Sequence, residues 1–283
     1  MRHGVVKKLF FASTTLLFSL GAALVVSSCD QQPVICTCGR GDFAAVYTLV
    51  PGGGAECSNL RSEILGMNAY SPETGAVGSG SMADWSRPSV AIGSERIGWL
   101  IDRAERSAMM PANPAHKLYV VGDMPQYPTN DFCPVTQIKT PDAEIDFPAI
   151  PAIADNPMTM PDESEPAVEA THYTYKWSNV NFLVSPAAIG TQMTADLDYT
   201  RNNCTAKYRV KAVYPARNCE SRTTPGQPDR ELCSPVAQPD KQIFEGSGIS
   251  PDFPVDCVEF DPGTPTGAKR FFCMLTKEVP AFK

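Results

Sequence analysis

Residues 195–214 read ADLDYTRNNCTAKYRVKAVY, and the fold class follows from how this stretch alternates. Ala206, Tyr208, Val210 and Ala212 fall on one side of a period of two, with Lys207, Arg209 and Lys211 between them. Side chains of a strand point alternately to its two faces, so this segment is a strand with one dry face and one wet face, the pattern of a half-buried antiparallel sheet. Ala195–Thr200 runs up to it, and Arg201-Asn202-Asn203 supplies turn chemistry between the two.

Working outward, His172–Trp177 (HYTYKW) and Val180–Val184 (VNFLV) read as strands, and Val255–Phe260 with Arg270–Leu275 reads as a hairpin around Pro262-Gly263-Thr264-Pro265. In the first half, Phe43–Val50 (FAAVYTLV), Ser89–Ile92 and Leu118–Val121 are strand candidates. Ser94 is an N-cap candidate for a helix over about 95–109. Ile97, Leu100, Ile101 and Ala104 form its apolar face, and Pro111 stops it. Short strands with frequent turns predict a mainly β protein, an antiparallel sandwich or open barrel with at least one helix.

The stretch 141–169 differs from its surroundings. It holds six prolines and eight acidic residues with no Lys or Arg, a composition that opposes collapse and predicts a loop or interlobe linker. This gives an organisation of residues 1–28 as a signal peptide, 29–40 as a tether, 41–140 as an N-terminal β-rich lobe with the helix, 141–170 as the acidic linker, and 171–283 as a C-terminal antiparallel β lobe.

The first thirty residues carry an export pattern. Arg2, Lys7 and Lys8 precede an uncharged run from Leu9 to Ser28, and small residues Ser27 and Ser28 precede Cys29. Val26-Ser27-Ser28-Cys29 resembles the lipobox of bacterial lipoproteins. That resemblance implies cleavage before Cys29, a diacylglyceryl group on its thiol and acylation, such as palmitate, of its amine. More than one chain makes such an anchor stable. Farther on, Ala195–Cys204 (ADLDYTRNNC) and Gly246–Cys257 (GSGISPDFPVDC) are similar to Cys-rich cell-surface lipoproteins of the myxobacterial type. The likeness implies an envelope location and supplies no activity and no functional residues. Asp30 resembles an inner-membrane retention signal of enteric lipoproteins, but sorting differs between lineages, and the outer membrane is the expected leaflet.

The chain has ten cysteines and a net charge of −7. Loss of the leader takes the 24 basic residues to 21 against 31 acidic ones, a balance of −10 that excludes general affinity for nucleic acid. With Cys29 lipidated, nine cysteines remain: Cys36, Cys38, Cys57, Cys133, Cys204, Cys219, Cys233, Cys257 and Cys273. An exported chain pairs its cysteines, and an odd count leaves one thiol free or joined to another chain. Cys36 and Cys38 are expected to take different partners from Cys57 and Cys133. Cys257 with Cys273 is the favoured late pair, and Cys204 is open to Cys219 or Cys233.

No catalytic set, metal site or cofactor is expected. His116 and His172 are the histidines left after the leader, no Cys-x-x-Cys occurs, and no glycine elbow surrounds a serine. His172 reads as a packed or rim residue, and Asp196 and Asp198 as polar residues at a hairpin end. Tyr173, Tyr175, Trp177, Phe182 and Tyr199 form an aromatic neighbourhood read first as core, and the place where a binding surface is sought if a surface is functional. The leading functional reading is an envelope lipoprotein that binds an envelope protein partner or builds a surface assembly. The alternatives are a tethered hydrolase using paired carboxylates on polysaccharide, and a ligand-binding lipoprotein serving a transporter.

Overall fold

The computed structural model describes residues 34–52, 54, 57–76, 78, 80–107, 109, 119–136, 138, 143–154, 158, 165–261 and 270–283. The signal segment, Cys29 and His116 lie outside them. Val34–Lys283 forms one compact unit. Its strands are β1 (Gly41–Val50), β2 (Ser62–Tyr70), β3 (Ser89–Ser94), β4 (Tyr119–Asp123), β5 (Phe132–Pro134), β6 (Ala143–Phe147), β7 (Thr171–Ser185), β8 (Ala188–Arg201), β9 (Cys204–Val213), β10 (Val255–Phe260) and β11 (Arg270–Leu275), with helix α1 at Glu95–Arg106. The helix starts at the expected N-cap, where the Ser94 hydroxyl accepts from the Ile97 amide at 3.2 Å. It stops three residues short of the predicted end, with Ser107 as C-cap. Among the described residues no helix is long and apolar enough to cross a membrane.

The first nine strands form one antiparallel sheet in the order β4-β3-β2-β1-β9-β8-β7-β5, with β6 also on β7. Strands from both sides of the acidic stretch therefore share a sheet, and the boundary drawn at 141–170 falls inside one sheet rather than between two lobes. The stretch itself is partly built in. Ile145, Phe147 and Ile150 are buried, β6 pairs with β7, and bridges join Ile150 to Val168 and Ile153 to Glu165. The fully buried Arg103 of α1 holds Glu165 at 3.0 Å and donates to the Pro151 carbonyl at 3.0 Å. The linker expectation weighed prolines and acids, and Ile145 and Phe147 in strand phase, with Ile150 bridged to Val168, outweighed them.

The two ends of the sheet meet. The Asp123 amide donates to the Thr136 carbonyl at 2.9 Å and the Thr136 amide returns the bond at 2.7 Å, so the segment that carries β5 also touches β4. Gly122 permits this approach, since a Cβ there would lie 2.3 Å from Val135 Cγ1. The result is the open-barrel form of the predicted β class. Alternation fills its inside: Phe43, Ala45 and Tyr47 from β1, Leu65, Met67 and Ala69 from β2, and Ala206, Tyr208, Val210 and Ala212 from β9 are all buried. Ile97, Leu100 and Ala104 of α1 join that core. The stretch that set the fold class is the β8–β9 hairpin, in register from Gln192↔Val213 to Arg201↔Cys204. Its turn residue Asn202 takes φ 54°, a conformation that asparagine tolerates better than most residues. The two expected strands 172–177 and 180–184 are one bulged strand, β7, with Asn179 at φ 50° where the register shifts.

Residues 216–261 and 270–282 cover part of the outer face. A second apolar cluster joins Ala44, Ile64, Leu183, Ala188 and Val213 of the sheet to Leu232, Phe253, Phe271 and Met274. The β10–β11 hairpin has the expected bounds, and its turn at 262–269 lies outside the described residues.

Four disulfides staple this body: Cys36–Cys133, Cys57–Cys204, Cys219–Cys257 and Cys233–Cys273. Cys36 and Cys38 do part, but Cys38 stays a buried free thiol, and Cys57 goes to Cys204 instead. The expected Cys257–Cys273 bond is not made. These residues are opposite each other in the β10–β11 register, yet each turns to the coil packed on the hairpin, Cys257 to Cys219 and Cys273 to Cys233. The sulfurs of Cys219, Cys233 and Cys273 lie within 4.8 Å of one another because these two disulfides are neighbours.

Candidate functional site

The outer faces of β2, β3 and β4 are built from alternate residues: Gly66, Asn68 and Tyr70, then Ser89, Ala91 and Gly93, then Tyr119 and Val121. Cross-strand register sets Gly66 beside Gly93 and Gly93 beside Tyr119, Asn68 beside Ala91 and Ala91 beside Val121, and Tyr70 beside Ser89. The small residues make a low floor, and the tyrosines rise from opposite corners, 49% and 39% exposed for Tyr70 and Tyr119. With Arg40 and Gly41 at one side they enclose an open groove of about 810 Å³, within the size range of small-molecule sites. Among the described lining residues Arg40 carries the charge.

Beneath the same strands lies a buried acid. Glu63 of β2 is fully buried and accepts hydrogen bonds from Tyr47 Oη at 2.9 Å, from Tyr175 Oη at 3.2 Å and from the hydroxyl of Ser94. Loss of hydration raises its pKa, against the opposing pull of the Ser94 hydroxyl and the Arg96 charge. Burial and the adjacent Glu63 push Tyr47 well above the ordinary tyrosine range. Arg96 donates to Tyr173 Oη at 2.7 Å and lies 5.0 Å over that ring. Ser94 thus ties the acid to the first turn of α1, and the cluster positions the helix over the sheet.

The sequence-selected aromatics sit here and not on a surface. Tyr173, Tyr175, Trp177, Phe182 and Tyr199 are 2, 3, 6, 0 and 2% exposed. Tyr175 and Tyr199 belong to a chain of edge-on rings in which Tyr199 contacts Tyr175 at 5.2 Å and Tyr208 at 6.3 Å, and Tyr208 contacts Tyr47 at 5.9 Å. Such pairs add about 0.5–1.5 kcal/mol each to the area they bury, so these residues take the core role and the binding-surface alternative falls away. His172 is a rim residue, with Nδ1 2.9 Å from Asp146 and Nε2 3.1 Å from Thr174 Oγ1. Asp196 accepts from Asn179 at 2.7 Å and Asp198 pairs with Lys207 at 3.3 Å, so both serve the wet face of the β7–β8–β9 sheet. The groove residues were not singled out, because β2 was not recognised. Once β2 is placed, the outward phase of Gly66, Asn68 and Tyr70 is the signal that finds them.

A curled antiparallel sheet, disulfide-stapled, capped by one helix and bearing an outer-face groove, defines this chain as a mainly β scaffold. It belongs to the MlpA family, whose sequence model matches residues 41–215. The match opens with β1 and closes just past β9, so it holds the whole curled sheet, the buried acid and the groove except Arg40. A Myxococcus xanthus protein named "Putative lipoprotein MlpA" is 32% identical over 109 residues, 38% of this chain and 39% of that protein. The aligned stretch thus spans about two fifths of the curated relative's length. No solved structure matches.

Proposed function

We propose that this chain is a cell-envelope lipoprotein whose folded body binds a partner as part of a surface assembly. The leader is removed before Cys29, acyl chains on Cys29 hold the protein to the membrane, and the outer membrane is the favoured location. The charged start, apolar run and lipobox support the anchor, as does the printed name of the Myxococcus xanthus relative. The groove carries the binding part of the reading. Exposed rings, an amide, a hydroxyl and a guanidinium converge there, which is chemistry for holding a partner. No carboxylate pair lines it among the described residues, so the hydrolase alternative gains no support from this site.

The test is Cys29→Ala expressed in the native host. The wild type should fractionate with membranes and carry acyl mass, and the variant should leave the membrane fraction. Unchanged attachment of the variant, or a wild-type mass without an acyl increment, refutes the anchor. Repeated recovery of the wild type from solubilised membranes as a lone species refutes the assembly.

A further inference from the structure

The outer face of β2–β4 carries a more specific inference. We propose that the groove is a site for acidic carbohydrate, in which Tyr70 and Tyr119 stack on sugar rings, Asn68 and Ser89 bond their hydroxyls, and Arg40 pairs with a carboxylate. This rests on the reading that the body is an envelope binding module.

Three observations carry it. The first is spacing. Tyr70 and Tyr119 stand on strands two apart and are offset by four residues along them, which separates their backbones by roughly 16 Å at ordinary strand dimensions. A short oligosaccharide spans that distance lying flat, and the floor between the rings is Gly66, Ala91 and Gly93. The second is Gly66 itself. Its backbone has no positive φ, and a Cβ there would meet nothing nearer than the Gly93 carbonyl oxygen at 3.9 Å. Glycine weakens a strand interior, and here neither backbone conformation nor packing within the chain requires it. An object lying on the floor does. The third is charge. The net charge of −7 and the exposed Asp42, opposite Gly66 in the β1–β2 register, both repel an anion, which therefore has to be held by a placed cation. Arg40 is that cation in the groove, and a guanidinium fits a carboxylate by a fork of two hydrogen bonds.

A peptide strand is the less suitable occupant. It would bind by backbone hydrogen bonds along a sheet edge, whereas the groove lies on the face of paired strands and offers side chains. Aromatic faces with amide, hydroxyl and guanidinium groups between them are suited to pyranose rings, whose C–H faces meet the negative face of the aromatic ring.

The probe is trigalacturonate, titrated calorimetrically into the detergent-solubilised mature protein beside its methyl ester, which keeps the shape and loses the charge. Saturable binding of trigalacturonate is expected, with the ester weaker. Tyr70→Ala and Tyr119→Ala should each weaken it by about tenfold, the loss of one ring contact. Arg40→Gln should bring trigalacturonate to or below the level of the ester, and added salt should no longer weaken its binding. Gly66→Val should block the floor, and circular dichroism and melting of every variant should match the wild type. No binding of either sugar, or binding indifferent to both tyrosines, overturns the inference. Loss of a co-purified protein from the two tyrosine variants, with no sugar bound, makes the groove a protein interface and equally overturns it. Cys29→Ala should leave the isotherm unchanged, so a failed anchor and a failed carbohydrate site are separately visible.

Discussion

Replacing Glu63 by glutamine tests the buried cluster through its pH dependence. The acid is fully buried beneath three hydroxyl donors, and its pKa is raised above the usual 4.5, chiefly by lost hydration. Below about pH 4.5 the folded and unfolded chains both hold the proton, and Glu63 imposes no charge penalty. As the pH climbs from there towards the raised folded value, the unfolded chain gives up its proton while the folded one keeps it. The folded state then binds more protons, and stability falls with rising pH by about 1.4 kcal/mol per unit until the folded group also ionises. The substituted glutamine does not titrate. It keeps the carbonyl acceptor for Tyr175 and Ser94 but sets an N–H₂ group against Tyr47, at a cost of about 1 kcal/mol. At pH 4.5 the variant should therefore be the weaker protein by about that amount, and its deficit should shrink or reverse as pH rises to about 8. Urea unfolding followed by tryptophan fluorescence, with disulfides intact, gives both curves. Other titrating groups cancel in the difference. Parallel curves across this range would refute the reasoning, because they would mean that Glu63 ionises as readily in the folded chain as in the unfolded one.

Three further outcomes are expected. Removing the Cys57–Cys204 staple with a double alanine variant frees two residues 147 apart in sequence, and the chain-entropy relation puts the cost at about 5 kcal/mol, to be read as a lowered urea midpoint. Cys38 is 5% exposed and burial pushes its thiol up to about 12, so a maleimide should leave the native mature protein unlabelled and add one label in urea; rapid native labelling, or two labels in urea, would contradict the burial or the lipidation respectively. Gly122→Ala forces a methyl against Val135 and should cost about 1–3 kcal/mol, with hydrogen exchange at Asp123 and Thr136 accelerated more than at β8.

The C-terminal half was legible from the alternation of β9 and from apolar runs bounded by turns. β9 buries Ala206, Tyr208, Val210 and Ala212 and wets the lysines and arginine between, and β10 and β11 have the bounds the apolar runs mark. β2 was hidden by a reversal of the same rule: its inward phase includes an acid, Glu63, and its outward phase a glycine, Gly66. A buried carboxylate and a bare strand position are what a periodicity reading discards, and those two residues lead to the buried cluster and to the groove. The aromatic run of β7 was seen, but aromatic composition alone does not say which face is dry. The register with β8 does, by stacking Tyr175 beside Tyr199 inside. Disulfide partners were the least legible, because proximity along the chain or across a hairpin favours Cys257–Cys273, whereas packing of residues 219 and 233 against the hairpin decides the bonds.

The meeting of Asp123 and Thr136 has a consequence for copies of the chain held close together. Free strand margins invite neighbouring chains to add their own strands, the usual route to ordered aggregates. Here the Gly122–Asp123 end of the margin formed by β4 is met by Val135, Thr136 and Ile138 and locked by a reciprocal pair of amide bonds. Many copies crowded together would then have little purchase on one another through their backbones. A change that springs this seam should turn a dispersed protein into a clustering one well before it unfolds.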